Sequence, residues 1–505
     1  MKNANHIIDK VFLEVNTSEL ETAHFIKNNI SQFLKDELFP RLEVLFEEYN
    51  LPEDILRFNE LSINLSIENG KDLKAIKYEI EKQIDLQIKQ SIKNIKSSNE
   101  IERLAFEKDK TVDQTISTEE NLNSIFLFFL ENGHLPWYAN ITEFQKYLSS
   151  ESLKKSLQKA AFLAKINACF SKEENLISRF VFQLTDEVLI IFLIENLPKM
   201  EDFKTSVLNL SKGLRSSERN LFWKSLIMIS IKEKEKQTAD LFLDFFYQIE
   251  IDRVTFNEQT GFSNLKEFVG FYHKIIPKKL LVESGLKRRM NNLLVKRESG
   301  EVLDVLSQVK VESDFETGEI IIEDELFPIN NDSDFLVKTL FEIAVQNAGL
   351  ILLHPFFKTF FIKTGIADKT GLLHNNKLEI ATQVLHFIAT GEDDYFEGNM
   401  VLEKFLIGLP LKMPIPNQSL LNDVIRNEVM VLLENVIKNW PALKNTSPAG
   451  LRQMFIHRDG KLIQKEKGFK LIVERKAQDV LLEKLNWNIS IVKLPWNKEM
   501  LFVEW

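Results

Sequence analysis

Apolar positions along this chain change period several times, and each change marks an element. Val11, Leu13 and Val15 alternate with Lys10 and Glu14, which predicts a strand over 7–15 with one buried side. Ser18 and Glu21 have capping-box spacing, after which Ile26, Ile30, Phe33 or Leu34, and Leu38 follow at helical intervals. Pro40 predicts a kink or break before Leu42, Leu45, Phe46 and Tyr49 resume the stripe. Leu61, Ile63, Leu65 and Ile67 alternate again up to Asn69-Gly70. A long amphipathic helix then runs through Leu73, Ile76, Ile80, Ile84, Ile88, Ile92 and Ile95. Residues 1–96 therefore read strand–helix–strand–helix. Two strands alone are marginal, so this unit calls for a partner surface or a second copy of itself.

Residues 97–118 are polar and weakly patterned, a linker. From 119 to 297 the pattern is helical, with breaks at Gly133-His134-Leu135-Pro136, Leu197-Pro198 and Ile276-Pro277. Val188, Ile191 or Phe192, and Ile194 or Glu195 belong to a helix apolar on most sides, hence an interior one. An acidic linker covers 298–335, with a short strand expected at Ile320–Ile322. Residues 336–505 form the last domain. Its clearest helix carries Val429, Leu432, Leu433, Val436, Ile437 and Trp440 on one face and ends at Pro441. Ser447 and Pro448 suit the N-cap and first position of the next helix, with Leu451 and Phe455 inward and Gly460 as its end. Phe469, Leu471 and Val473 alternate behind a turn at Glu466-Lys467-Gly468. A short helix (477–485) and strands at Ile489–Leu494 and Leu501–Trp505 close the chain. The fold class is mainly α with small α+β units at both ends, a central helical tract, and C-terminal helices with a small antiparallel sheet.

The chain has 505 residues, a formal net charge of -10 and one cysteine, Cys169. The acidic balance argues against a nucleic-acid binder, which needs basic surface. A single cysteine forms no intramolecular disulfide and no CxxC cluster. The N-terminus has no apolar signal region, and the runs IFLFFL (125–130) and VLIIFLI (188–194) are far short of a membrane span, so no stable membrane insertion is expected and the protein is expected to be made in the cytoplasm.

Candidate chemistry is sparse. There is no HExxH, phosphate-binding loop, dinucleotide fingerprint or nucleophile elbow. His354, His374 and His386 lie twenty and twelve residues apart and read as packed or exposed side chains before metal ligands. Glu392, Asp393, Asp394 and Glu397 read as a solvated loop before a carboxylate site, and Lys287-Arg288-Arg289 with Lys296 and Arg297 as a charged helix face. Cys169 reads as a packed thiol. No catalytic, cofactor or metal residues are assigned, and the chain is not expected to be an enzyme.

Tryptophan is the better signal. Four of the six fall between Trp440 and Trp505, and Trp487, Trp496 and Trp505 are spaced nine apart. Such rings belong in cores or contact surfaces. The triplet Leu494-Pro495-Trp496 recurs in kind at Leu135-Pro136-Trp137. We take these six residues with Trp440, Trp487, Glu504 and Trp505 as a candidate docking and packing motif.

Several strings resemble one known family in its order: NAGLILLHPFF (347–357), HFIATGE (386–392), KFLIGLPLKMPIP (404–416), NWPALKNTSPAGLRQMF (439–455), VERK-x-x-DVLLEKL (473–485) and SIVKLPWNKEMLFVEW (490–505). LEVN, LFPRLEVLFEEY, RFNELSINLSI and FLENGHLPWYA (129–139) add to them. Together they resemble the contractile injection system tape measure family, departing from it at Asn486 and Asn497, where an apolar residue is more usual. The resemblance implies a structural protein of a phage-tail-like particle that helps set inner tube and sheath length on the baseplate. Implied partners are the inner tube, the baseplate hub or spike, the cap and further copies of the chain, with assembly in the cytoplasm before joining the particle. An assembly chaperone or adaptor for baseplate or effector loading is the alternative. A helix rises about 1.5 Å per residue, so the tract 97–340 drawn out as one helix spans at most roughly 360 Å.

Overall fold

The computed structural model describes residues 6–50, 54–66, 72–101, 114–173, 175–214, 216–231, 342–443, 445–465 and 468–505. Several sequence expectations lie outside these residues: most of the 97–118 linker, the acidic linker at 298–335 with its Ile320–Ile322 strand, the break at Ile276-Pro277, and the basic group Lys287-Arg288-Arg289 with Lys296 and Arg297. The chain divides into two compact units, Met1–Ser124 and Ile125–Trp505. It is mainly helical, with one small sheet toward each end.

In the first unit, α1 (Leu20–Phe33) passes through one π turn (Leu34–Leu38) into α2 (Phe39–Glu47). Pro40 has no N–H to donate, and its ring presses on the carbonyl four residues back. The helix absorbs this by widening, with the Phe39 N–H bonded to Leu34 O, so the expected break becomes a bulge. The helix starts later than the Ser18 cap predicts. Glu19 is the N-cap residue, its N–H bonded to Thr17 Oγ1 and its carboxylate accepting from the Thr22 hydroxyl at 2.9 Å.

Helix α3 (Leu73–Ile101) follows the predicted stripe, and its Ile84 and Ile88 close a small core with Phe33, Leu38 and Leu42. The strands differ from expectation. Neither 7–15 nor 61–66 is a strand; instead β1 (Asp54–Arg57) pairs antiparallel with β2 (Gln114–Ser117). Alternation marks residues that suit an extended chain, but pairing needs a neighbour, and that is long-range information. Leu61 and Ile63 pack in extended form on the helical core, whereas Val11, Leu13 and Val15 remain exposed.

The unit boundary falls inside α4 (Thr118–Asn132). Beyond it come α5 (Ile141–Leu148), α6 (Glu151–Leu157), α7 (Ala160–Lys172), α8 (Asn175–Gln183), α9 (Asp186–Asn196), α10 (Lys204–Gly213) and α11 (Ser216–Ser230). The breaks at Gly133 and Pro198 occur as predicted. Helix α9 is interior, with Val188, Leu189, Ile190, Phe192 and Leu193 all buried. Phe126, Phe170, Phe180 and Phe192 meet largely edge to face around it.

The C-terminal part opens on β3 (Glu342–Val345). Helices α12 (His354–Lys363), α13 (Leu378–Thr390), α14 (Val401–Ile407) and α15 (Asp423–Asn439) follow, and Ser447 caps the short α16 (Pro448–Leu451) through the Gly450 N–H as predicted. A π turn over Arg452–Ile456 ends that helix, so Gly460 begins β4 (Gly460–Gln464) rather than closing a helix. With β5 (Phe469–Val473), β6 (Ile491–Val492) and β7 (Leu501–Glu504) the sheet order is β3-β4-β5-β7-β6, antiparallel except for β5 with β7. Phe469, Leu471 and Val473 point inward, as their alternation predicts. Gly349 lets the backbone reach the 452–456 turn, since a Cβ there would lie 1.7 Å from Phe455 O.

Candidate functional site

The tryptophans of the C-terminal part are rivets. Trp440 is fully buried against Phe455 at 4.7 Å, and its indole N–H donates to Leu481 O. Trp487 donates to Leu352 O at 2.8 Å and meets Phe356 edge-on; Trp496 donates to Leu406 O at 2.9 Å and meets Phe361 likewise. Trp505 donates to Asp479 Oδ2 at 3.0 Å, and Asp479 also holds Arg458 Nη2 at 2.7 Å and the Lys476 N–H. The three rings thus tie the end of the chain to three separate points, at Leu352, at Leu406 of α14 and at Asp479. Asn486 and Asn497, the two departures from the family pattern, give their amides to Asn439 O and Phe405 O, so neither leaves a buried donor open.

The two Leu-Pro-Trp triplets differ in conformation. One turn closes from Asn497 N to Leu494 O, with Leu494 buried, Pro495 exposed and Trp496 half-buried; the other closes from Ala139 N to Pro136 O, one step later in the triplet. That shift buries Pro136, half-buries Leu135 and leaves Trp137 50% exposed beside Tyr138. Glu504 is also exposed and pairs with Lys470 at 2.5 Å.

The acidic loop holds what the sequence hides. Glu397, expected in a solvated loop, is fully buried, because Arg179 of α8 reaches it from 218 residues away. Arg179 Nε lies 3.1 and 3.0 Å from the two carboxylate oxygens, Nη2 donates to Lys412 O at 2.6 Å, and Nη1 donates to Leu130 O. Lys404 reaches the same carboxylate at 2.5 Å and donates to Leu411 O and Met413 O. Gln183 receives the Glu397 N–H and donates to Ile415 O, while Gln383 donates to Pro416 O.

These donors converge for a reason legible in residues 408–416. Pro410, Pro414 and Pro416 deny that loop regular pairing, leaving its carbonyls as buried acceptors that need donors. Gly133 completes the cluster: at φ +73° a Cβ would lie 2.5 Å from Leu411 O and 2.7 Å from both Arg179 Nη2 and Glu397 Oε1. Burial pulls Lys404 down to about 8, with the Glu397 charge opposing and Arg179 adding to the fall. Burial likewise pulls His134 down to about 4.

Of the remaining candidates, His374 and Glu392 are exposed, and the others have structural partners. His386 Nδ1 lies 3.0 Å from Glu403 Oε1, which also accepts from Asn347; His354 contacts Ile351 O. Asp393 pairs with Arg426, and Asp394 with Gln145. Among the described residues no group of three His, Cys, Asp or Glu side chains is arranged to hold a metal. Cys169 is buried beside Glu131, and its thiol is pushed up to about 11, chiefly by burial. Among the described residues no helix is long and apolar enough to cross a membrane.

Two outcomes follow from the ion cluster. Glu397→Gln leaves two buried cations without their carboxylate and should destabilise the protein by about 3–5 kcal/mol, measured by urea denaturation. Lys404 has a folded value of about 8 against 10.5 unfolded. Between those values the unfolded chain holds more protons, so stability should rise with pH across that window, by on the order of 3 kcal/mol in total. In Lys404→Met this part of the rise should vanish, which paired denaturation curves on either side of the window would reveal.

The strings that raised the family resemblance contain the residues just described: Asn347, His386, Lys404 with the proline-rich loop, Trp440, Asp479, Trp496 and, in the central string, Gly133. A family model described as contractile injection system tape measure protein matches residues 5–505. No curated protein and no solved structure matches the chain. With the match running through both compact units, the chain belongs to the contractile injection system tape measure protein family.

Proposed function

We propose that this protein is a structural part of a phage-tail-like contractile particle that helps set the length of its inner tube and sheath while they grow on the baseplate. The family match over residues 5–505 carries the reading. Its partners are the inner tube, the baseplate hub or spike, the cap and other copies of the chain. It assembles in the cytoplasm and acts by binding rather than catalysis; among the described residues, the clusters at Glu397 and Glu403 are tied to backbone carbonyls and neighbouring side chains. A second reading, an assembly chaperone or adaptor, is favoured by one observation: α5 to α11 run only 7–15 residues and pack around an interior helix. Drawn out as a single helix, residues 118–230 would span ~170 Å.

Insertion or deletion of whole helical turns within 119–297 should change particle length in proportion, measured by electron microscopy of purified particles. Unchanged lengths across such a series, with the chain absent from purified particles by mass spectrometry, would establish the adaptor instead.

Of the ten residues in the candidate docking motif, Trp137, Pro495 and Glu504 are the exposed ones, and Trp137 offers the largest apolar surface. Trp137→Ala should change stability by no more than about 0.5 kcal/mol while lowering incorporation into particles. Trp440→Ala should instead cost about 3–5 kcal/mol through lost packing. Melting curves combined with quantitative immunoblots of particles separate contact from packing.

A further inference from the structure

We propose that residues 7–15 form a strand by pairing antiparallel with the same segment of a second copy of this chain, about a twofold axis at Phe12. The segment is anchored at both ends. His6 Nε2 lies 3.2 Å from Glu47 Oε2 with its ring edge-on to Phe46, and Thr17 and Glu19 fix the start of α1. Between these anchors Ile7, Ile8, Val11, Phe12, Leu13 and Val15 are all exposed. Phe12, at 88%, is the most exposed large apolar side chain among the described residues. An exposed apolar segment of strand periodicity, lying outside any sheet, is a site for strand addition.

The charge order selects a second copy as the occupant. Antiparallel pairing centred on Phe12 sets Lys10 opposite Glu14 of the second copy, and Glu14 opposite its Lys10. Val11 and Leu13 face each other twice, and Phe12 faces Phe12 on the axis. Ile8, Lys10, Phe12 and Glu14 share one face, and Asp9, Val11, Leu13 and Val15 the other, with Asp9 at the strand end opposite Val15. Moving the axis by one residue sets Phe12 opposite Glu14 or Lys10, and a parallel in-register pair sets like charges side by side. The register centred on Phe12 therefore has the self-complementarity a twofold interface requires, and the charge reversals below test it directly. This inference stands apart from the length-setting reading, since it concerns the full chain in solution.

Sedimentation velocity on the purified full chain should show a reversible dimer. Lys10→Glu and Glu14→Lys should each weaken it about tenfold, because each creates two like-charge pairs, and the double variant K10E/E14K should restore it. Phe12→Lys should abolish the dimer. Phe12→Cys should form a disulfide-linked dimer under mild oxidation, while the buried Cys169 stays out of the reaction. All these positions are exposed, so circular dichroism should show the fold unchanged. A monomeric wild type overturns the proposal. So does a dimer that the single charge reversals leave unaltered, a double variant no tighter than the singles, or a Phe12→Cys chain that does not cross-link.

Discussion

Glu397 sits without solvent between two cations, and much of the larger unit is arranged to make that tolerable. Burying charges costs several kcal/mol per ion unless each finds partners. Here Arg179 and Lys404 share one carboxylate, leaving one positive charge in excess, and the carbonyls of Leu130, Leu411, Lys412 and Met413 supply the remaining acceptors. Each group solves a problem for another. The loop at 408–416 needs donors because three prolines remove its own, and the cations need acceptors because they are dry. Gly133 is required because no side chain fits in the remaining space. An apolar cluster of the same volume would leave those carbonyls unsatisfied, and for this reason the interior is ionic.

The sequence was informative wherever structure follows from neighbours. The isoleucine stripe of α3, the Val429–Trp440 face, the alternation of Phe469, Leu471 and Val473, and the Ser447-Pro448 cap each depend on residues within a turn or two, and each occurs. It was uninformative where the deciding partner is remote. Glu397 lies among acidic residues in a stretch that looks solvated, and nothing local names Arg179. Strand β3 is four residues long and exists because Gly460–Gln464 passes beside it. The alternation at 7–15 is as clear as that at 469–473, yet among the described residues only the second has a neighbouring strand.

Among the candidate docking residues, the tryptophan rings divide by their surroundings. An indole is equally at home in a core and at an interface, and its N–H needs an acceptor in either place. In the chain, Trp440, Trp487, Trp496 and Trp505 find internal acceptors, and the similar triplet at 135–137 shifts its turn by one residue and presents Trp137 to solvent. A single step in turn register therefore separates a packing tryptophan from an exposed one. Spacing alone does not carry that distinction.

The ion cluster also bears on how a compact tract could serve a length-setting protein. Removing one member of a buried pair strands the other, but parting the two into water does not: each recovers the hydration it lost on folding. A contact between α8 and the segment 397–416 built on apolar packing would expose fresh hydrocarbon when opened, at about 25 cal/mol per Å². One built on Arg179, Glu397 and Lys404 opens onto groups that water solvates well. Such a contact gives the docked arrangement specificity while adding less to its stability than an apolar seam of equal size. On the length-setting reading, a contact of this kind is what a chain needs if it must pack in one defined way when free and release the same surfaces on entering a growing tube.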